Sequence, residues 1–201
     1  MNVWEWLLLG VVGWTGLGVT GVLISLVRGE RAKVRQGSMW LVGVMVLYIA
    51  SVIGVSMVQP QRVIPMGQEQ CFDEMCFAVT RVEEVPQFFG KTGITDGSRL
   101  VRITVLVENK GHVTQGEGLI RAYLLDQQGG RWPESNGVNG NGLTTRVPGG
   151  GTIVSEPVFK VGPDAAGLRL VFTRGHWQPG VLVIGDSDSL GHRRTVMALE
   201  R

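Results

Sequence analysis

Two long apolar runs near the start of the sequence constrain the fold of this chain more than any other feature. The first run, residues 3–27, contains one charged residue, Glu5, and the second, residues 38–58, contains none. An α-helix rises about 1.5 Å per residue, so roughly 20 residues cross the ~30 Å hydrocarbon core of a bilayer. Both runs therefore predict transmembrane helices, and a lipid bilayer is the first partner that we expect.

The loop between the two runs, residues 28–37, predicts how the helices are oriented. It sets four basic residues against the single acid Glu30: Arg28, Arg31, Lys33 and Arg35. No Lys or Arg precedes the first run, and short loops rich in Lys and Arg remain in the cytoplasm. We therefore predict a multi-pass membrane protein whose basic loop lies in the cytoplasm. Both termini and the C-terminal region would lie on the periplasmic or extracellular side.

A cleaved signal peptide followed by a single membrane anchor is the alternative explanation of the two runs. Signal peptides begin with a basic segment and end at a small-residue cleavage site. Here the start of the chain carries an acid and no Lys or Arg, and no Ala-x-Ala-like site follows the first run. These departures favour two membrane-spanning helices.

Small residues mark one face of each predicted helix. They recur at spacings that suit close contact between helices: Gly10, Gly13 and Gly16 in the first run, and Gly43, Ala50 and Gly54 in the second. Lipid supplies no hydrophobic force between helices, which instead associate through small residues that let their backbones approach. The strips therefore predict helix packing, either within this hairpin or against another integral membrane protein, and the sequence leaves both open.

The pattern changes after residue 58. Residues 59–70 hold two prolines and few large apolar residues, which is typical of a linker. Seven short strand-like runs then follow in residues 71–201, most of them separated by Gly, Asn, Asp or Pro: 76–82, 100–108, 119–126, 152–161, 168–173, 181–184 and 195–199. Such spacing predicts one antiparallel β-sandwich domain.

A segment rich in Gly and Asn, residues 136–151, interrupts this series. We predict a long loop there, with a short strand near residues 143–147. Long loops on a rigid scaffold often carry function, so this one is either a binding loop or a mobile crossing.

Three segments of the predicted domain occur in a recognisable order: RLVRITVLVENKG, AYLLDQQGGRW and VPGGGTIVSEPVFKVGPDAAGLRLVF. Over residues 77–175 the chain resembles a bacterial exported domain family of unknown function, related to a mycobacterial immunoprotective secreted antigen. The resemblance implies an immunoglobulin-like sandwich and supplies no catalytic residues. Members usually follow one signal peptide or lipoprotein anchor, so the hairpin is a departure. The expected fold is an N-terminal transmembrane α-helical hairpin plus an all-β immunoglobulin-like antiparallel sandwich.

Cys71 and Cys76 are the two cysteines of the chain, and the predicted location makes a disulfide the first expectation. Closing so short a loop would stabilise the fold by roughly 2 kcal/mol. Zinc would need two further ligands, and the three histidines, at positions 112, 176 and 192, show no paired spacing. We therefore predict a disulfide, and no metal or other cofactor.

The sequence VLVIGDSDSLG, residues 181–191, looks like the first block of the GDSL-type esterases, in which Ser187 would be the nucleophile. That family places its serine early in an α/β fold, with an Asp and a His far downstream. Here fourteen residues follow Ser187, and His192 lies only five positions away. We therefore predict no enzyme activity, and a solvent-exposed turn at Asp186 and Asp188 rather than a calcium site.

Charge narrows the classes of function. Residues 59–201 hold 15 of the 19 Lys and Arg and 15 of the 17 Asp and Glu, so this region is close to neutral. A nucleic-acid partner would require a basic stripe with suitable aromatic residues, and the sequence shows none. The favoured function is an interaction or scaffold protein, an accessory subunit of a larger bacterial membrane protein complex. The alternative is a cell-envelope surface or ligand-binding module that uses the loop at residues 136–151.

Overall fold

The computed structural model describes residues 3–88, 91–92, 97–174, 179–185 and 189–199, and it opens with two apolar helices. Helix α1 spans Val3–Val27 and helix α2 spans Arg31–Val58. Gly29, at φ +74°, supports the tight reversal between them, because glycine adopts this backbone conformation without strain. Both helices are long and apolar enough to cross a membrane, by length and composition alone, a property that signal sequences share.

Helix α2 begins seven residues before the predicted apolar run. Arg31, Lys33 and Arg35 lie in its first turns, where their good helix propensity lets the helix extend beyond the apolar segment. The 28 residues of α2 give a length of about 42 Å, well above the ~30 Å of a hydrocarbon core.

The two helices pack closely at one glycine on each. A Cβ added to Gly18 would lie 2.5 Å from Cδ2 of Leu41, and one added to Gly37 would lie 2.9 Å from Cγ2 of Val22. Real Cβ atoms do not approach this closely, so a larger residue at either glycine would require the facing Leu41 or Val22 side chain to shift.

The rest of the fold is built from β-strands. In chain order they are β1 Val63–Ile64, β2 Glu69–Phe72, β3 Met75–Val85, β4 Gln87–Phe88, β5 Lys91–Thr92, β6 Arg99–Asn109, β7 Arg121–Leu125, β8 Arg131–Gly140, β9 Thr152–Val161, β10 Arg169–Thr173 and β11 Val196–Ala198. Within the described ranges, nine strands form one sheet in the order β1-β11-β10-β7-β8-β9-β6-β3-β2, and β4 pairs with β5. Strands β1 and β11 are parallel and the other pairs antiparallel, so the sheet is mixed rather than purely antiparallel as predicted.

Strand β8 joins the two halves of this sheet. Residues 131–133 pair with β7, whereas residues 134–140 pair with β9, with a register shift between Glu134 and Val138. Irregularities of this kind bend a strand and let it pass from one layer to the next. The sheet therefore bends into a barrel-like sandwich whose edge strands, β1 and β2, are not paired with each other.

The core of the sandwich follows from alternation along the strands. In β6, the side chains of Val101, Ile103, Val105 and Val107 are buried, and the residues between them are partly exposed. They pack with large apolar side chains from both halves of the sheet, including Phe77, Leu124, Phe159, Leu170 and Met197. Burying a side chain of this size stabilises a fold by about 1.5–3 kcal/mol.

Several predicted elements differ from the observed ones. The predicted linker at residues 59–70 contains β1 and the start of β2. The predicted loop at residues 136–151 begins later, because residues 136–140 belong to β8, where pairing with β9 outweighs the low strand propensity of Asn and Gly. In the predicted short strand at residues 143–147, Val147 alone bridges to Gln115. The predicted strand at residues 181–184 is wrong, since Pro179–Leu182 forms a short 3₁₀-helix.

In the part of the chain that the structure describes, two compact units can be separated. The hairpin unit contains α1, α2, residues 59–61, and residues 179–185 and 189–194 from much later in the chain. The sandwich unit contains the strands from β1 to β10 together with residues 195–199. This division differs from the predicted one, which assigned residues 71–201 to a single domain.

Candidate functional site

A short segment after β10 packs on the two apolar helices. We call residues 179–185 and 189–194 the cap segment. It covers one face of α2, where Tyr48, Val52 and Ser56 are 8%, 1% and 2% exposed. These residues are four positions apart and therefore lie above one another on the helix. Ile184 of the cap segment packs against Tyr48 and Val52, together with two residues of α1.

Hydrogen bonds connect the cap segment to α2 and to Gln61, which lies three residues after the end of α2. The Tyr48 hydroxyl donates to the carbonyl oxygen of Leu182 over 2.6 Å. The hydroxyl oxygens of Ser56 and Ser189 lie 2.6 Å apart, and Nδ1 of His192 lies 3.3 Å from the Ser56 carbonyl oxygen. Beyond the helix, Nε2 of Gln61 donates to the carbonyl of Arg194 over 2.8 Å. The segment is therefore held by side chains as well as by apolar packing.

Sequence reasoning missed this arrangement. The apolar residues 181–184 were consistent with a strand, because an apolar run indicates that a segment is buried but not which element it packs against. One signal was present in α2, where Tyr48 and Ser56 fall on the same face as Val52 within the uncharged run at residues 38–58. A polar face on a predicted membrane helix indicates a polar contact there.

The predicted helix-packing residues lie away from the contact between α1 and α2. Among the described residues, no atom outside the local helix lies within 4 Å of a Cβ added to Gly43 or Gly54, and Ala50 is exposed. The same holds for all three glycines predicted in α1: Gly10, Gly13 and Gly16. The hairpin instead packs at Gly18 and Gly37, so the structure brings none of the six predicted residues into the contact between the helices.

The predicted orientation residues lie together at the turn of the hairpin. Arg28 directly follows α1, while Arg31, Lys33 and Arg35 begin α2, and all four are exposed. The Nζ atom of Lys33 lies 3.0 Å from the carboxylate of Glu30. These four basic residues lie at the end of the hairpin opposite the cap segment, which contacts the later half of α2 and itself contains Arg193 and Arg194.

The disulfide closes the β2–β3 hairpin. Cys71 lies directly opposite Cys76 in the strand register, and their sulfur atoms are bonded at 2.04 Å. The carboxylate of Glu69 is close enough to join both sulfurs as a ligand set. However, the sulfurs are bonded to each other, and this carboxylate accepts a hydrogen bond from Lys110. The trio is therefore not arranged for metal binding while the disulfide is intact.

Arg174 forms a partly buried charge cluster beside this hairpin. Its Nη2 atom lies 2.8 Å from a carboxylate oxygen of Asp73 and 2.7 Å from one of Glu117. The guanidinium also lies over the Phe72 ring, 5.1 Å from the centroid. Asp73 has φ +54°, a strained backbone conformation that Asp tolerates better than most residues. The cluster therefore fixes the turn between β2 and β3.

Asn109 organises the turn that follows β6. Its buried amide donates to the carbonyls of Val113 and Val147, both over 2.8 Å. Its Oδ1 atom accepts the backbone N–H of Gly111 at 2.9 Å and Nε2 of Gln115 at 3.0 Å. This residue begins the Asn-Lys-Gly motif on which the family resemblance rests. Its role here is to hold the segment around residue 147 against the sandwich.

Asp126 plays a similar part in the turn after β7. One carboxylate oxygen accepts the backbone N–H groups of Gln128 and Gly130, and the other accepts the indole N–H of Trp132. Burial acts to raise the pKa of Asp126, but these hydrogen bonds, with a further one from Gly129, outweigh burial and hold the pKa below its ordinary value. The Asp-Gln-Gln-Gly-Gly-Arg-Trp motif is therefore explained by turn geometry.

The candidate hydrolase residues Asp186, Ser187 and Asp188, like His176, lie outside the described residues. What precedes them is described, and Pro179–Leu182 is a 3₁₀-helix instead of the strand that leads to the nucleophile in an esterase of this kind. His192 lies beside the carbonyl of Ser56.

These features define the molecule as a β-sandwich module joined to an apolar helical hairpin. No protein-family model matches the sequence, and no curated protein matches it either.

The solved structures to which the chain is similar include three bacterial proteins. An uncharacterized β-sandwich protein from Clostridium difficile 630 is 10% identical, with 71% of this chain and 96% of that chain covered and a TM-score of 0.46. The secreted protein MPT63 from Mycobacterium tuberculosis is 12% identical, covering 58% and 92%, with a TM-score of 0.41. The yjhA protein from Bacillus subtilis is 18% identical, covering 68% and 99%, with a TM-score of 0.42. At such identities and TM-scores, these likenesses carry no argument about function.

Proposed function

We propose that this protein is a non-catalytic, membrane-anchored interaction protein and an accessory subunit of a larger bacterial membrane protein complex. Helices α1 and α2 span the cytoplasmic (inner) membrane. The basic turn at residues 28–37 lies in the cytoplasm, and both termini and the sandwich unit lie on the periplasmic or extracellular side. The short loop between α1 and α2 supports this orientation, because it carries four Lys and Arg against one acid.

The open glycine strip is the observation that carries the proposed subunit role. The hairpin already packs through Gly18 and Gly37, where an added Cβ would collide with the facing helix. The strip formed by Gly43, Ala50 and Gly54 contributes nothing to that contact. Small residues allow the close approach through which helices associate in lipid. A strip that its own chain leaves open is therefore suited to a helix of another integral membrane protein.

The alternative class, a surface or ligand-binding module that uses residues 136–151, draws less support. Val147 exchanges backbone hydrogen bonds with Gln115 and also accepts one from Asn109. The backbone of Gly150 donates to the carbonyls of Asn109 and Gly111. The later part of the predicted binding loop is thus fixed to the sandwich by its backbone, which suits a structural crossing.

The proposed subunit role can be tested by filling the strip. A triple variant with Gly43→Leu, Ala50→Leu and Gly54→Leu keeps the hydrophobicity needed for insertion but blocks close approach. We expect it to reach the membrane and to lose the proteins that copurify with the wild type in mild detergent. The matched control carries Val42→Leu, Ile49→Leu and Val55→Leu, exposed positions of α2 that lie at least about 80° around the helix from the strip, and it should keep those partners.

Two outcomes would contradict the proposal. If the wild-type protein is extracted alone as a monomer, the subunit role is wrong. If the triple variant fails to accumulate while the control accumulates normally, the strip serves the folding of the hairpin.

The orientation is tested by labelling single cysteines with a membrane-impermeant reagent. A cysteine at Gln128 should react in intact spheroplasts and one at Lys33 only after lysis, and the reverse pattern would overturn the orientation.

A further inference from the structure

We propose that residues 179–185 form a membrane-inserted loop, which enters the outer leaflet beside α2 and exposes Leu182 to lipid acyl chains. This inference rests on the proposed function, because it requires that α2 spans the bilayer. The loop would be a third membrane element of this protein. Its partner is the hydrocarbon of the bilayer.

The first argument concerns depth. Residues 38–58 carry no charge and are about 31 Å long as a helix, enough to fill the hydrocarbon core. Tyr48 lies ten residues from either end of this stretch, and therefore about 15 Å from each surface of the core. Its hydroxyl donates to the carbonyl of Leu182. A loop tip bonded to Tyr48 lies near the middle of the membrane when α2 spans it.

The second argument concerns side chains. The sequence of residues 179–185, PGVLVIG, contains no charged or polar side chain. Val183 and Ile184 are buried in the hairpin unit, whereas Leu182 and the later Leu190 are 46% and 45% exposed. Exposing two large apolar side chains to water is unfavourable. In contact with lipid acyl chains, the two leucines would instead lie in an apolar environment.

The third argument concerns the backbone. Non-helical backbone is tolerated at membrane depth only where protein satisfies its polar groups. Three consecutive carbonyls of the loop meet this condition. The carbonyl of Gly180 accepts the N–H of Val183 at 3.1 Å, that of Val181 accepts the N–H of Leu190 at 2.9 Å, and that of Leu182 accepts the Tyr48 hydroxyl. The Tyr48 hydroxyl thus supplies a hydrogen-bond donor to the Leu182 carbonyl from outside the loop.

The exit of the loop fits the membrane surface. A Cβ added to Gly185, at φ +79°, would lie 3.1 Å from Nε2 of Gln59 and 4.0 Å from the indole nitrogen of Trp4. Gln59 directly follows α2, and Trp residues are enriched at the level of the lipid headgroups. Arg193, which is exposed, follows three residues after Leu190 and is placed to meet phosphate groups. The apolar tip therefore lies between polar margins.

Spin labels in proteoliposomes test this assignment. A nitroxide is attached to a single added cysteine in the full-length, non-reduced protein, in which Cys71 and Cys76 are bonded to each other. Labels at Leu182→Cys, at Val46→Cys on the exposed face of α2 and at Leu119→Cys in the sandwich unit are compared. Unmodified protein gives the background. We expect the Leu182 label to match the Val46 label, with high collision with oxygen and low collision with a water-soluble nickel complex. The Leu119 label should show the opposite behaviour.

The outcomes separate the two proposals. If the Val46 label is protected from nickel and the Leu182 label is not, the inserted loop is wrong while the spanning helix stands. If both labels collide freely with nickel, the membrane-spanning hairpin itself is wrong.

A second variant tests the role of the hydroxyl. Tyr48→Phe should increase nickel collision at the Leu182 label. The control Ser51→Ala removes a hydroxyl that bonds within α2, to the carbonyl of Leu47, and should change nothing. Equal collision rates in both variants would overturn the support assigned to Tyr48.

Discussion

At the residue scale, Asp126 shows how one carboxylate can fix a turn. A carboxylate only accepts hydrogen bonds, and this one faces three N–H donors. In Asp126→Asn the amide presents an NH₂ group on one side, so at least one of these donors meets another donor. We expect a lower midpoint of thermal unfolding, measured by circular dichroism in detergent. The decrease in the unfolding midpoint should be smaller in a Trp132→Phe background, which lacks the indole N–H. As a control, Asp164→Asn at an exposed turn should leave the midpoint unchanged.

The pKa of Asp126 adds a pH dependence to this prediction. Its pKa is lowered in the folded protein, so its contribution to stability is present above the ordinary Asp value of about 3.9 and is lost as pH falls through the folded pKa. Glu134 acts in the opposite direction, because burial raises its pKa despite the nearby Arg121, and its titration favours folding at lower pH. The stability difference between wild type and Asp126→Asn isolates the first group. It should narrow between pH 7 and pH 3, and a constant difference would contradict the assignment.

Asn109 carries a second prediction at this scale. Its side chain is fully buried and joins four hydrogen bonds around the turn after β6. Asn109→Ala would leave buried backbone groups without partners, at a cost on the order of 3 kcal/mol in the free energy of unfolding. Denaturant unfolding measures this difference, with the exposed Asn141→Ala as the control. A loss no larger than that of the control would show that water replaces the amide.

At the scale of elements, sequence pattern predicted the strands whose burial alternates locally. The predicted run at 152–161 matches β9, and 100–108 lies within one residue of β6 at each end. Strands β1 and β2 were missed, because two nearby prolines indicated a linker although short edge strands tolerate proline beside them. The run at 181–184 was assigned to a strand because its partner, α2, lies about 130 positions away, and periodicity holds no information on such distant contacts.

The β2–β3 hairpin carries a prediction for an element. Protein isolated without reductant should have Cys71 bonded to Cys76, as the strand register places them opposite each other. Intact-mass measurement after alkylation decides this, and two alkylated thiols in natively exported protein would contradict it. Replacing both cysteines with serine should lower the free energy of unfolding by about 2 kcal/mol, because the cross-link restricts the unfolded chain.

At the scale of the whole molecule, the chain path links the two units in a way that sequence order does not reveal. After β10 the chain contributes the cap segment to the hairpin unit, and it then returns to the sandwich unit as β11, which pairs with β1. A candidate site could be predicted from sequence only where its residues are close together in the chain, as with Cys71 and Cys76 or the basic turn. The cap segment could not be predicted, because it contacts residues more than 100 positions earlier in the chain.

This path gives the last prediction, which concerns removal of the helices. A chain reduced to residues 62–201 and exported through an added signal peptide would keep every strand of the sandwich unit but lose the helices against which Ile184 packs. Exposed apolar segments promote aggregation. We therefore expect this truncated protein to aggregate or to require detergent, as measured by size-exclusion chromatography. The same truncation carrying Val183→Ser and Ile184→Ser should be more soluble. If the unmodified truncation is soluble and monomeric, the helices act as a removable leader and the cap segment does not depend on them.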